Sequence, residues 1–367
     1  MKKSREDEQD ESQKKHKPRC YFDFDKLRNV NKWYTFQRGG PTGKGTYGKV
    51  RRAHGASGER VAIKCFESSA EGQKSAYHDV KYLTRLRDHP NIVNVIEMMT
   101  NETRLDLFMI MEEARCDLSK LIFRKEAWRI SEGQIKGYAL QLFQALAFCH
   151  KNQVMHLDVK PQNVLVMATN VVKLTDFGLS QIKKPNQRYS TNVVTQWYRP
   201  PEILLCATDY DYAVDMWSAG CVLVEMLDGK HFLPGVSGNE HHQCQITWEM
   251  CGSPALSQWP EWAHTRIAKT VKEARERTLM QRLSQRPERF KPEAKLLIDG
   301  LLALLPSQRL TAAQVLDHEY WKVYQRPLTP AQMIFPQFLF TDQKKPEPKK
   351  DCYAHNMQPK GKQRVTK

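Results

Sequence analysis

The stretch His156-Leu-Asp158-Val-Lys160-Pro-Gln-Asn163-Val-Leu165, followed by Asp176-Phe177-Gly178, decides how this chain is read. It gathers two carboxylates, two carboxamides and an ammonium within a short span of polypeptide. Transfer of a phosphoryl group to a hydroxyl asks for such a set. A carboxylate takes the hydroxyl proton, hard oxygen ligands hold Mg²⁺, and a cation spreads the charge of the migrating group. Asp158 fits the first role, Asn163 and Asp176 the second as metal ligands, and Lys160 the third. The bland alternative is a polar surface turn beside an ordinary Asp-Phe-Gly turn.

Two upstream signals bear on that choice. Gly43-Lys-Gly45-Thr-Tyr-Gly48-Lys-Val50 is a loop in which glycines let a hairpin close over phosphates and offer backbone N–H groups without side-chain obstruction. Glycine triplets also serve dinucleotide folds, but there a helix opens at the loop, whereas a strand-like segment follows here. Lys64 ends the run Val61-Ala-Ile-Lys64, sixteen residues after Gly48. A lysine closing an apolar strand is costly to bury unless an anion meets it, and ATP phosphates with a helix carboxylate would do so. Taken alone, each motif has an ordinary explanation. Four motifs in this order and spacing do not.

The 367 residues are 40% hydrophobic, enough to bury a large core in about two lobes. A net charge of +16 and a pI near 9.4 imply attraction to polyanions or acidic segments. Nucleic-acid binding is therefore a competing class, yet the chain has no zinc-ligand spacing and no RNA-binding signature. The nine cysteines form no C-x-x-C pair, and their odd number argues against a disulfide framework and for a reducing compartment. The N-terminus has no apolar stretch of a secretory signal, and no run approaches the roughly 18 apolar residues of a membrane span. The expectation is a soluble intracellular protein with no membrane partner, nuclear and/or cytoplasmic.

Residues 1–30 are charge-dense and predict a disordered tail, and 325–367 predict a basic flexible one, able to make weak polyanion contact or carry a nuclear address. Residues 31–324 between them predict one folded domain. Its first part, about 31–113, is strand-rich, with Leu107-Phe-Met-Ile-Met111 a second buried run. One helix interrupts it, carrying Ala76, Asp79, Val80, Leu83 and Leu86 on one face. The second part, about 117–324, is mainly helical, for example Gln134–His150 and Ala213–Leu227, and residues 253–292 read as an insertion. The fold class is α+β, with a small β-rich lobe and a larger helical one.

From Trp33 to Trp321 the chain resembles the eukaryotic protein kinases. Within them it is similar to the cyclin-dependent kinase branch, through Gly45-Thr-Tyr-Gly48, His89-Pro-Asn-Ile-Val93, Lys160-Pro-Gln-Asn163 and Val193-Val-Thr-Gln-Trp-Tyr-Arg-Pro-Pro-Glu-Ile-Leu-Leu205. The resemblance implies an ATP- and Mg²⁺-dependent serine/threonine kinase. It implies that Val50, Ala62 and Leu165 sandwich the adenine, with Met111 as gatekeeper and Glu112 and Ala114 as backbone hinge contacts. It further implies that Thr195 braces Asp158 and Lys160, that Glu202 pairs with Arg309, and that Asp215 anchors the catalytic loop. Arg199 is expected to hold the backbone at Val193 and Val194, which favours protein substrates with Ser-Pro or Thr-Pro sites. A cyclin-like activator is an expected partner. The alternatives are a mitogen-activated-type kinase, whose Thr-x-Tyr is absent from Arg188–Val194, and a catalytically weak kinase-fold scaffold.

Several positions depart from the family pattern. The helix carboxylate facing Lys64 is normally glutamate, and Asp79 is its candidate here. Three arginines that commonly clamp a phosphate on the activation segment, between Asp176 and Glu202, are replaced by His78, Leu157 and Gln181. Ser190 occupies the usual phosphorylation position, and without those arginines its phosphorylation is expected to be dispensable. Gln73–Asp79 replaces the usual cyclin-binding helix signature. Thr42 stands where a larger apolar residue usually caps the adenine. Thr46 and Tyr47 match a pair used elsewhere for inhibitory phosphorylation.

Overall fold

The computed structural model describes residues 22–45, 48–103, 105–123, 130–253 and 275–335. Seven strands build the small lobe: β1 (Arg28–Asn29), β2 (Tyr34–Phe36), β3 (Gly43–Gly45), β4 (Gly48–Gly55), β5 (Arg60–Phe66), β6 (Val95–Thr100) and β7 (Leu107–Glu112). They pair in the order β1-β6-β7-β5-β4-β2, with β3 folded back on β4. The register sets Lys64 opposite Val50 on one side and Met109 on the other. The central position of β5 therefore fixes where the lysine points. Val30, Ala53, Val61, Ile63, Met99 and Ile110 close the core on one face of this sheet.

Helix α1 (Val30–Trp33) is a single turn, and α2 (Ala70–Arg85) lies across the sheet. Ser69 starts α2 by accepting a hydrogen bond from the Gly72 amide at 3.0 Å, a cap worth about 1 kcal/mol. Ala76, Tyr82 and Leu83 bury its inner face, and Asp79 is buried among them.

The larger lobe is organised by two helices, α4 (Glu132–Lys151) and α6 (Ala213–Asp228), with α3 (Ser119–Ile122) and α5 (Pro201–Leu204) as single turns around them. Helix α6 is buried along nearly its whole length, so its two interior carboxylates, Asp215 and Glu225, need partners within the protein. Short strands β8 (Cys116–Asp117), β9 (Val154–Met155), β10 (Val164–Val166), β11 (Val172–Leu174) and β12 (Gln181–Ile182) frame the segment between them. β10 pairs with β11 and β8, and β12 with β9. Helices α7 (Glu240–Cys251), α8 (Leu279–Ser284), α9 (Pro292–Leu301) and α10 (Ala312–Leu316) complete the lobe. The expected two-lobe α+β plan is thus observed. Of the expected insertion, residues 254–274 lie outside the described residues.

Both expected domain boundaries move outward. Residues 22–30, read from sequence as part of a disordered tail, contribute β1, which pairs in parallel with β6. Arg28 bonds Glu97, and Phe22 meets Tyr77 of α2 edge-on at 6.5 Å. At the other end the compact unit runs to Met333, beyond the expected boundary at 325. Gly133 donates its N–H to Gln325 at 3.1 Å and accepts from the Leu328 amide at 3.0 Å, and Asn170 donates to the Met333 carbonyl at 2.9 Å. Glycine is required here, because a methyl on Gly137 would strike the Leu328 carbonyl. A two-residue strand and a strap on a glycine stripe carry no hydrophobic period, so neither is visible in sequence.

Candidate active site

A cleft of about 860 Å³ separates the lobes. Gly43, Gly48, Val50, Ala62, Lys64, Met111, Glu112, Ala114 and Leu165 line its inner part, and Asp158, Lys160, Asn163 and Asp176 its outer part. Gly45 pairs with Gly48 at the turn of the β3–β4 hairpin, Thr42 donates to the Val50 carbonyl at 2.8 Å, and Thr46 and Tyr47 lie outside the described residues. The apolar strip and the charged strip are therefore one continuous site.

At the back of the cleft Lys64 Nζ sits 2.6 Å from Asp79 Oδ2 and 2.8 Å from Asp176 Oδ1. The shorter side chain of Asp79 could have lengthened the pair or drawn the helix inward. The 2.6 Å contact excludes the first. The helix is close: a Cβ on Gly178 would lie 3.1 Å from Ser75 Oγ on α2, so this glycine keeps the approach open. Burial lowers the Lys64 pKa, but the two carboxylates outweigh it and hold the ammonium well above its ordinary range. Complete burial pushes Asp79 up despite Lys64 and the Phe177 amide, and its Oδ1 closes no hydrogen bond. Asp176 is pushed up by burial and pulled down further by Lys64, with a net lowering. Lys64 and Asp176 thus stay charged.

Across the cleft, Asp158 is held on every side. Its Oδ1 accepts from Thr195 Oγ1 at 2.6 Å and from the Thr195 amide at 3.2 Å. Its Oδ2 accepts from Lys160 Nζ at 2.6 Å and Asn163 Nδ2 at 2.8 Å, while Lys160 also reaches Thr195 Oγ1 at 2.9 Å. The brace expected of Thr195 is present in the geometry. Because the Asn163 amide nitrogen is committed to Asp158, its oxygen is the atom left for a cation. Asp176 adds a carboxylate about one-third exposed to the cleft. Two hard oxygens of this kind would suit a divalent cation such as Mg²⁺.

The loop carrying Asp158 is fastened from below. Asp215 accepts from the His156 and Leu157 amides, each at 2.8 Å, and meets His150 Nε2 at 2.9 Å. Burial raises the Asp215 pKa, yet the His150 hydrogen bond and its companions bring it below the carboxylate range. Leu157 has φ 65°, a left-handed backbone that is strained for leucine. Its amide on Asp215 and its carbonyl, bonded by the Val194 amide at 3.0 Å, hold it there.

Arg309 forks onto Glu202 at 2.8 and 3.1 Å, both nearly fully buried. Arg199 donates twice to the Val194 carbonyl, at 3.1 and 3.0 Å, and pairs with Glu240 at 2.6 Å. Its expected grip on two residues is on Val194 alone, a residue with φ 62°. Glu112 turns its side chain to Lys173 at 2.7 Å and the Asn94 amide at 2.9 Å, leaving its backbone at the cleft.

At the three former arginine positions the site is neutral. Leu157 is wholly buried, Gln181 pairs in β12, and His78 is pushed down by burial with Nδ1 unpartnered. Sequence reasoning missed His150, Tyr189 and Tyr210, all of which act across long sequence separations with no local signal.

A seven-stranded lobe over a helical one, with a lysine–aspartate pair at the back and a braced aspartate at the front, defines a phosphotransfer fold. Residues 36–321 match the family model for the protein kinase domain, and the chain belongs to that family. Among its relatives, cyclin-dependent kinase C-2 of Arabidopsis thaliana is 36% identical over 78% of this chain and 59% of its own length. The CTD kinase subunit alpha of Schizosaccharomyces pombe is 35% identical over 80% of this chain and 49% of its own length. The chain thus spans about half to three-fifths of the curated relatives it matches. A chain of the CAK complex of Chaetomium thermophilum, solved bound to ATP-γ-S, aligns with TM-score 0.72 and 32% identity over 83% of this chain and 95% of that one.

Proposed function

We propose that this chain is an ATP-dependent serine/threonine protein kinase of the cyclin-dependent type. The observation that carries the reading is Asp158, fixed by Thr195, Lys160 and Asn163 at the cleft mouth while Lys64 is already paired with Asp79 and Asp176. Decay into a scaffold would be expected to loosen one of these first.

In this reading Val50, Ala62 and Leu165 enclose the adenine, Met111 stands behind it, and the backbone of Glu112 and Ala114 meets its edge. Gly43, Gly45 and Gly48 cover the phosphates. Lys64 neutralises the phosphates nearest the sheet, and Asp79 keeps the lysine aimed. Asp158 orients the attacking hydroxyl and takes its proton, while Lys160 spreads charge on the moving phosphoryl. Asn163 and Asp176 would hold Mg²⁺, which would supply charge neutralisation at the phosphates.

Substrates carry Ser-Pro or Thr-Pro, because Arg199 occupies the Val194 carbonyl that a substrate amide would otherwise seek, and proline has no amide hydrogen to lose. The protein to try first is the RNA Pol II CTD named for a yeast relative, a CTDK-1 complex of TM-score 0.71 and 29% identity. That relative and the CAK chain were both solved in complexes, which supports a cyclin-like activator here. The lysine-rich stretch 343–367 supports a nuclear address and weak contact with polyanions.

The test is phosphate transfer from ATP-Mg²⁺ to Ser-Pro and Thr-Pro peptides, beside Ser-Ala and Thr-Ala controls and an Asp158→Asn protein. Transfer to the proline peptides that Asp158→Asn abolishes supports the reading. ATP binding with no transfer, with and without a cyclin, would return the scaffold.

A further inference from the structure

The activation segment lacks the arginines that commonly grip a phosphate, yet the structure holds it firmly around Ser190. Tyr189 and Tyr210 are only 6% and 5% exposed and pack ring against ring, 5.3 Å apart at 38°. Their hydroxyls are spent on main chain. Tyr210 donates to the Ser190 carbonyl at 2.7 Å, and Tyr189 donates to the Ile182 carbonyl at 3.1 Å while accepting from the Lys184 amide at 2.8 Å. The Tyr189 amide closes onto the Thr208 carbonyl at 2.6 Å. Lys183 stands over the Tyr189 ring at 5.5 Å and donates to the Tyr210 carbonyl at 2.7 Å.

These contacts form a continuous path. Ile182 belongs to β12, whose partner β9 leads into the loop of Asp158. Beyond Ser190 the chain reaches Val194, bonded to Leu157, and Thr195, bonded to Asp158. Tyr82 of α2 faces the Ile182 amide, so the helix carrying Asp79 touches the same path. Ser190 itself is exposed, and among the described residues its Oγ accepts only the Asn192 amide, at 3.1 Å. A phosphate there would find His78, Leu157 and Gln181 at the gripping positions and no guanidinium among them.

We propose that the Tyr189–Tyr210 pair is a tie that sets the activation segment in its substrate-accepting shape without phosphorylation. Both tyrosines are positioning residues, acting through the Ser190–Thr195 backbone on the site where a peptide lies. The proposal rests on the kinase reading and adds to it the device that replaces the phosphate.

The experiment uses the full chain treated with phosphatase, with Tyr210→Ala, Tyr210→Phe and Ser190→Ala. Hydrogen exchange of residues 181–198 is read first, because it needs no turnover. Parent and Ser190→Ala are expected to protect the segment equally with or without phosphatase, and Tyr210→Ala to lose that protection while ATP affinity stays within about twofold. Tyr210→Phe keeps the ring contact and restores most of the protection. Where turnover is measured, Tyr210→Ala raises the peptide KM about tenfold or more and leaves the ATP KM unchanged, as misplacement of the peptide site predicts. Protection that depends on phosphatase treatment, or that survives Tyr210→Ala, overturns the tie. A parent that binds no ATP would instead overturn the kinase reading.

Discussion

The cleft and the activation-segment anchor lie side by side and are built from opposite materials. In the cleft, charges face one another with little to spare: Lys64 is shared by two carboxylates, and Asp79 keeps one oxygen without a closed hydrogen bond. In the anchor, neutral rings and main-chain carbonyls satisfy each other, and the charged triad of relatives is gone. Charge is retained where electrons must move and given up where only shape is needed. A neutral anchor needs no modification to form, whereas an arginine cluster without its phosphate would repel itself.

That contrast can be broken by substitution, and the largest effect should come from the cleft. Asp158→Asn preserves the shape and removes the base, so kcat for peptide phosphorylation should fall about 10²- to 10⁴-fold with ATP affinity nearly unchanged. A loss below tenfold would mean that Asp158 serves the fold rather than the reaction. Next, Asp79→Asn removes one charge from the lysine. Loss of a charge-assisted hydrogen bond of about 1.5–3 kcal/mol should lower kcat/KM roughly ten- to hundredfold. Equal activity would show that Asp176 alone is enough to aim Lys64.

A third effect belongs to α6, the helix that also carries Asp215. Burial pushes Glu225 up to about 7, against the hydrogen bond it receives from Tyr198 at 2.9 Å. A carboxyl that binds its proton more tightly when folded stabilises the protein most below its unfolded value near 4.5, and that contribution is lost as pH rises through 7. Between pH 5 and 8 the parent should therefore lose about 1–3 kcal/mol that Glu225→Gln does not. Parallel unfolding curves for the two proteins would remove Glu225 from the account. The smallest effect is expected at Ser190→Glu, an exposed position for which His78, Leu157 and Gln181 offer no guanidinium, with kcat/KM within about twofold. Activation beyond that would mean that the anchor still reads charge.

The sequence was most legible where chemistry is local. His156 to Leu165 carries its roles within one loop, and Asp158, Lys160 and Asn163 meet in space as their spacing implied. Asp79 was readable because a carboxylate on an apolar helix face requires a cation. Tyr189 and Tyr210 were not, since a pair twenty-one residues apart in irregular chain leaves no period to detect. Leu157 is the instructive intermediate: its identity announced the missing arginine, but its left-handed backbone comes from Asp215, which no local pattern connects to it.

The strap over α4 bears on how this protein can be cut. The family match ends at residue 321, a natural place to truncate for expression. Such a fragment would uncover the furrow along Gly133 and Gly137, stripping partners from the Gly133 amide and carbonyl and from the Asn170 carboxamide. Glycine cannot refill the gap, and water would enter beside the wholly buried Lys136, which donates to the Val323 carbonyl at 2.8 Å. A fragment ending after Met333 keeps the furrow roofed, and is the shorter piece to carry into crystallisation.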